Sequence, residues 1–339
     1  MLRQTVVFCS TLHYSAFLNL RLAERVSRCA VLRISVSRCS MPHGLFPLQL
    51  GRSVLECFAM RVICVSSAKG GVGKSAVGTA LAVGIARSKR AVLIDADFSR
   101  GDATFNLGVR WNDPRNDEGE GLARALLGRT AIPLHDATWV EPDAENPVTF
   151  ERTGLRLAVG GTKLQPVFTA MVRGELDVAT AFRQVRDIDA DVVVIDTPPL
   201  GLQMQQAVFA VADDVIPLLQ PDRNAMRGLN DIVRVIADVR RINPGLRLAG
   251  VPLYPMPKAW SATQREWAAD ANEALNGVAP LFRTVVRHSV EYSRAVDAGL
   301  VATEWAQYLR VTAGFSVAKS ATALAWDFEQ LLDEVIATW

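Results

Sequence analysis

Seven residues constrain this chain more than any others: Lys69-Gly70-Gly71-Val72-Gly73-Lys74-Ser75. They lie between an apolar run, Arg61-Val-Ile-Cys-Val-Ser66, and an Ala-rich stretch, 76–88, that suits a helix. Strand, glycine-rich loop and helix in that order form the context of a phosphate-binding loop. Glycines let successive backbone N–H groups turn inward, and the helix N-terminus adds partial positive charge. Lys74 is placed to reach β- and γ-phosphates, and the Ser75 hydroxyl to ligate Mg²⁺. The loop departs from the ordinary G-x-x-x-x-G-K-[ST] pattern. Ala68 stands where the first glycine belongs, and an extra lysine, Lys69, follows it.

Two more apolar runs end in carboxylates. Ala91-Val-Leu-Ile-Asp95 is followed by Ala96-Asp97-Phe-Ser-Arg-Gly-Asp102-Ala-Thr104. A carboxylate at the carboxyl end of a parallel strand beside a phosphate loop can orient a water or hold the metal shell. Asp191-Val-Val-Val-Ile-Asp196 contains four consecutive β-branched residues, the mark of a strand buried on both faces. Asp196 at its end is positioned to sit near Mg²⁺, and Pro198 and Pro199 stiffen the loop that follows.

Residues 69–75 resemble the deviant Walker A box of the ParA/MinD family of ATPases, in which the extra lysine is the signature residue. The resemblance extends over nearly all of 60–339 and implies ATP and Mg²⁺ as cofactors. It also implies an ATP-bound homodimer in which Lys69 crosses to the phosphates held by the partner copy. The nucleotide site would comprise Lys69, Gly70, Gly71, Val72, Gly73, Lys74, Ser75 and Ala76, the last replacing the family's usual second hydroxyl. The 95–104 segment is similar to the family's D-x-D…G-N-A-T switch, with Asp102 in place of Asn. By that match Asp97 positions the attacking water, Asp95 helps the metal or the loop, and Asp196 is the Walker B carboxylate. Catalysis is thereby assigned to Lys69, Lys74 and Asp97, and metal binding to Ser75, Asp196 and Asp95.

Further strands are expected at 213–219, 246–254 and 281–286, with a helix from the loop after 220 to about Ile242. Tyr254-Pro-Met-Pro257 stands where the family frames adenine. Strands alternating with helices of this length imply right-handed crossovers. The expected fold is therefore α/β, a doubly wound, mostly parallel sheet with helices on both faces. A final helix is expected over 320–337. Its apolar stripe would be Phe328, Leu331, Leu332, Val335 and Ile336, opposite Asp327, Gln330, Asp333 and Glu334. An acidic polar face is unsuited to anionic lipid, so no stable membrane association is expected.

Residues 1–59 are unlike the rest. They hold seven Arg, two Glu and neither Lys nor Asp, a net charge of +5 against −3 for 60–339. Two readings stand for this leader: an over-extended gene start ahead of Met60, or an organellar transit or accessory segment. It is too short and irregular for a helix-turn-helix. Four of five cysteines fall in it (Cys9, Cys29, Cys39, Cys57), leaving Cys64 alone in the body. No CxxC or Cys/His spacing offers a zinc or iron–sulfur site. With half the residues hydrophobic and 21% charged, disordered and fibrous classes are excluded.

The resemblance, closest to Soj-like ParA proteins, implies a cytoplasmic, nucleoid-associated partition ATPase. It would bind DNA non-specifically as a dimer and hydrolyse ATP on stimulation by a ParB-like partner, segregating plasmid or chromosome. Arg227, Arg234, Arg241 and Arg287 are the candidate DNA contacts. The first three are seven apart and can form one helical stripe, or a merely solvated face. The alternatives are a MinD-like ATPase positioning another cargo and, less favoured, an ATP-dependent synthetase or amidase. Against the latter, no Cys nucleophile or added catalytic domain follows the core.

Overall fold

The computed structural model describes residues 6–8, 16–18 and 60–339, except 68, 143, 199, 200, 221, 223, 224, 258 and 259. Ala68 and Pro199 thus lie outside the described residues, as does all of 1–59, on which the leader readings fall, apart from 6–8 and 16–18. The chain divides into two units, Met1–Ala59 and Met60–Trp339. In the first, Val6–Phe8 pairs antiparallel with Ala16–Leu18.

The second unit is built on a seven-stranded sheet. In chain order its strands are β1 (Arg61–Ser66), β2 (Ala91–Asp95), β3 (His135–Asp136), β4 (Leu155–Ala158), β5 (Val192–Asp196), β6 (Asp214–Pro217) and β7 (Arg247–Leu248). Across the sheet the order is β7-β6-β1-β5-β2-β4-β3. Every pairing is parallel except that of β3 with β4. All five residues of β2 and of β5 are buried, as continuous apolar runs require in a sheet covered on both faces.

Alternate residues feed two cores. Val62 and Cys64 join one with α5 (Leu202–Phe209) and α6 (Ala225–Val239). Ile63 and Val65 join the other with α1 (Lys74–Ala86). Helix α6 buries Leu229, Ile232, Ile236 and Val239, an i, i+3, i+7, i+10 stripe. Helices α2 (Asp102–Asn106), α3 (Glu120–Leu126) and α4 (Gln165–Val172) precede β5. No helix among the described residues is long and apolar enough to cross a membrane.

The single strand expected over 246–254 is two strands, β7 and β8 (Val251–Met256). The break falls at Ala249-Gly250. A Cβ on Gly250 would lie 2.1 Å from the Phe282 ring, so the bare backbone is what lets β9 (Leu281–Arg287) close on β8. β8 and β9 pair in parallel, and β8 meets the sheet through Leu219.

Helix α7 (Ala262–Ala274) starts with a Ser261/Gln264 capping box, and α8 (Val290–Ala298) and α9 (Ala302–Thr312) follow β9. The last helix, α10 (Lys319–Ile336), buries Phe328, Leu331, Leu332 and Val335, as its stripe requires. Two points differ from expectation. Ile336 is 39% exposed. The acidic face is not a solvated one, because two of its four acidic and amide groups point into the protein. Glu334 accepts from the backbone N–H groups of Arg283 and Thr284, and Asp327 from that of Arg287. The register of β9 against β8 shifts along this stretch, and strand donors left without a ladder partner require acceptors.

Arg152 ties distant segments together. All five of its guanidinium donors are used: two on Glu304 (2.8 and 2.6 Å), three on the carbonyls of Leu107, Ala137 and Gly299. Both side chains of the ion pair are buried, at 2% and 8% exposure.

Candidate active site

The glycine-rich loop joins β1 to α1 at the carboxyl end of the sheet. Gly71 and Gly73 hold φ of 72° and 85°, left-handed values that favour glycine. Gly73 is required twice over, since a Cβ there would fall 1.8 Å from the Tyr254 ring. As N-cap of α1 it offers no side-chain acceptor, so the helix's first N–H groups face the loop uncapped. Lys74 is buried. Desolvation lowers its pKa, while the charges of Asp196, Asp97 and Asp102 act in the opposite direction.

Ser75 donates its Oγ hydrogen to Oδ2 of Asp196 at 2.5 Å. Asp196 is fully buried at the end of β5, and its Oδ1 has no hydrogen-bond partner. Burial, reinforced by neighbouring Asp95, pushes its pKa well up. A buried carboxylate oxygen without a donor, beside a serine hydroxyl, is a hard-oxygen pair that suits Mg²⁺. The residues present therefore fit the cation that the sequence implies.

Asp95, at the end of β2, has a different occupation. Its Oδ2 accepts from the backbone N–H and hydroxyl of Thr104, both at 2.8 Å, and its Oδ1 from the N–H of Asp97 at 3.1 Å. Of the two roles expected for Asp95, metal or loop, these bonds carry the second. Thr104, to which sequence assigned no role, also accepts from the Gly160 N–H. Gly160 must be glycine because a Cβ would meet the Asp95 carboxylate at 2.6 Å. Burial, then the charge of Asp97, raises the Asp95 pKa to about 7.

Asp97 is 4% exposed, and its Oδ1 accepts from the Ser99 N–H (2.8 Å) and Ser99 Oγ (2.6 Å). This Asx turn fixes the carboxylate at the mouth of the site. Lys69 forms an ion pair with Asp222 of its own chain, in the loop after β6. Asp222 carries no motif that would have marked it in the sequence. The loop after β5 is fastened by Thr197, which donates its hydroxyl to the Val65 carbonyl at 2.9 Å.

The expected arginines separate into two groups. Arg234 on α6 and Arg241 in the turn just after it are more than 80% exposed, yet Asp231 and Asp238 stand 4.0 and 3.3 Å from them. The stripe of Arg227, Arg234 and Arg241 is thus interleaved with carboxylates. Arg287, the candidate outside that stripe, is committed within the protein: its guanidinium donates twice to Asp327 at 2.5 and 2.7 Å. The sequence conceals this because the partner lies 40 residues away on α10.

A family model described as an AAA domain matches residues 60–248. The chromosome-partitioning ATPase Soj of Thermus thermophilus is 31% identical over 198 residues, covering 57% of this chain and 68% of that protein. Among solved structures, apo McdA from Cyanothece superposes with a TM-score of 0.63 at 16% identity, covering 82% of this chain and 99% of that one. Cobyrinic acid a,c-diamide synthase from Mycobacterium smegmatis, solved with ADP and magnesium, gives a TM-score of 0.55 at 25% identity. That match covers 76% of this chain and 97% of the synthase.

Proposed function

Because this chain belongs to the ParA/MinD family of P-loop ATPases, we propose that it is a partition ATPase, with ATP and Mg²⁺ as its cofactors. The observation that carries the reading is the pairing of an intact phosphate cradle with a second lysine, Lys69, at its rim. Backbone N–H groups of 70–75 and the ammonium of Lys74 hold the triphosphate. The Ser75 hydroxyl and the Asp196 carboxylate hold the cation, whose chemistry there is to neutralise charge on the β- and γ-phosphates. Asp97, kept in place by Ser99, orients the attacking water. Asp95 serves by holding the switch segment through Thr104.

Lys69 leaves Asp222 when a second copy approaches and reaches that copy's phosphates, giving the ATP-bound homodimer. Two ammonium groups then oppose the charge that develops on the transferring phosphoryl group. Arg227, Arg234 and Arg241, doubled in the dimer, supply phosphate contacts to DNA that carry no sequence information. A ParB-like partner triggers hydrolysis and release, and the protein is cytoplasmic and nucleoid-associated. The synthetase reading has no support in the side chains: the one cysteine among the described residues, Cys64, is buried in β1. A MinD-type terminal anchor is likewise disfavoured, since Asp327 and Glu334 bind α10 to β9.

The test is DNA retention by the full chain with ATP, with ADP and without nucleotide, beside Lys69→Ala. Retention with ATP alone, lost in the variant, is expected. Retention independent of nucleotide, or none in any state, overturns the partition reading. Liposome co-sedimentation in parallel would redirect the reading to a membrane cargo.

A further inference from the structure

Phe98 follows Asp97 directly, and its ring stacks on that of Phe168 in α4, with centroids 4.5 Å apart and planes 14° from parallel. Beneath the pair lies Gly201, the N-cap of α5, at φ 119°. A Cβ at Gly201 would stand 3.1 Å from the Phe168 ring and 3.2 Å from that of Phe98. Three segments therefore meet at one point: the loop carrying Asp97, helix α4, and the loop running from Asp196 into α5. Asp97 itself is turned by Ser99, a contact within the same loop. Its position relative to the rest of the site depends on what holds that loop from outside. Asp95 and Thr104 tie the two ends of that segment together. The hold from another element is the aromatic stack, through Phe168 of α4.

We propose that the Phe98–Phe168 stack over Gly201 positions Asp97 for water attack and couples that carboxylate to the loop after Asp196. Phe98 and Phe168 are positioning residues, acting through Asp97, and the proposal rests on the hydrolytic reading above. Stacked rings resist sliding and splaying, and neither ring belongs to the phosphate cradle or the cation pair. Loss of the stack is therefore felt in the chemical step and not in nucleotide capture, because a displacement near 1 Å at a catalytic group lowers rates by up to roughly a hundredfold.

The decisive experiment is steady-state hydrolysis and nucleotide titration on the full chain, for wild type, Phe168→Ala, Phe168→Leu and Phe168→Tyr, with melting curves for each. The expected result is a fall in kcat of about ten- to a hundredfold in Phe168→Ala and Phe168→Leu, with nucleotide Kd within about twofold of wild type. Phe168→Tyr, which keeps the stack, restores kcat. An unchanged kcat in both Phe168→Ala and Phe168→Leu overturns the proposal. So does a parallel loss of kcat, affinity and melting temperature in every variant, which marks plain structural support. If the wild-type chain binds ATP but never hydrolyses it, the ATPase reading itself fails and this inference with it. That outcome is distinct from hydrolysis that ignores the stack.

Discussion

Replacing Arg152 by methionine removes a buried charge whose five donors are all satisfied. The substitution keeps much of the side-chain volume but removes five hydrogen bonds. It leaves Glu304, 8% exposed, without its counter-ion. Breaking a buried pair by deleting one partner costs about 3–5 kcal/mol, most of it from stranding the remaining charge. The carbonyls of Leu107, Ala137 and Gly299 lose donors as well, but local relaxation and water recover part of that loss. A destabilisation of about 4 kcal/mol follows, and at about 2 °C per kcal/mol for a domain of this size the melting temperature falls by roughly 8 °C. The control is Arg152→Met combined with Glu304→Met, in which no charge remains to be stranded. Urea and thermal unfolding of both variants should place the double variant closer to wild type than the single one. If the two variants unfold together, the cost does not come from the stranded carboxylate and the reasoning fails.

Gly73→Ala forces a side chain into the Tyr254 ring at a left-handed φ. At least a tenfold loss of nucleotide affinity, about 1.4 kcal/mol, is expected in a fluorescent-nucleotide titration, and wild-type affinity would contradict the geometry. The carboxyl of Asp95, raised to about 7 from 3.8, keeps its proton in the folded chain over a range in which the unfolded chain has lost it. Its contribution to stability is therefore full below the lower value and declines as pH rises through the upper one. Measured by urea unfolding, the stability of wild type relative to Asp95→Ala should fall across that window, and a flat difference would exclude the shift. Arg287→Ala breaks the contact with Asp327 and should lower the melting temperature while leaving ATP-dependent DNA retention intact. Loss of any DNA retention at full stability would instead favour the DNA contact expected of Arg287 from the sequence.

The sequence displays the cradle, the Walker B carboxylate and the fully buried strands because each is encoded locally. Glycines before Lys74 and Ser75, and β-branched runs ending in Asp95 or Asp196, carry their meaning within a few residues. What depended on distant partners was not legible. The break at Gly250 needs Phe282, the capture of Arg287 needs Asp327, and the commitment of Asp95 to the loop needs Thr104 and Gly160 in place. β4 went unrecognised because a four-residue Leu-Arg-Leu-Ala run is too short to show a period. Lys69 likewise depends on a distant partner. Its identity as an extra lysine is visible in sequence, whereas its pairing with Asp222, 153 residues away, needs the folded chain.

The carboxylates of α10 along β9 have a bearing on assembly. Glu334 and Asp327 occupy the donors that a further strand would need, so this border of the sheet is closed to hydrogen-bonded extension. Copies of the chain cannot grow into a continuous ribbon from that side.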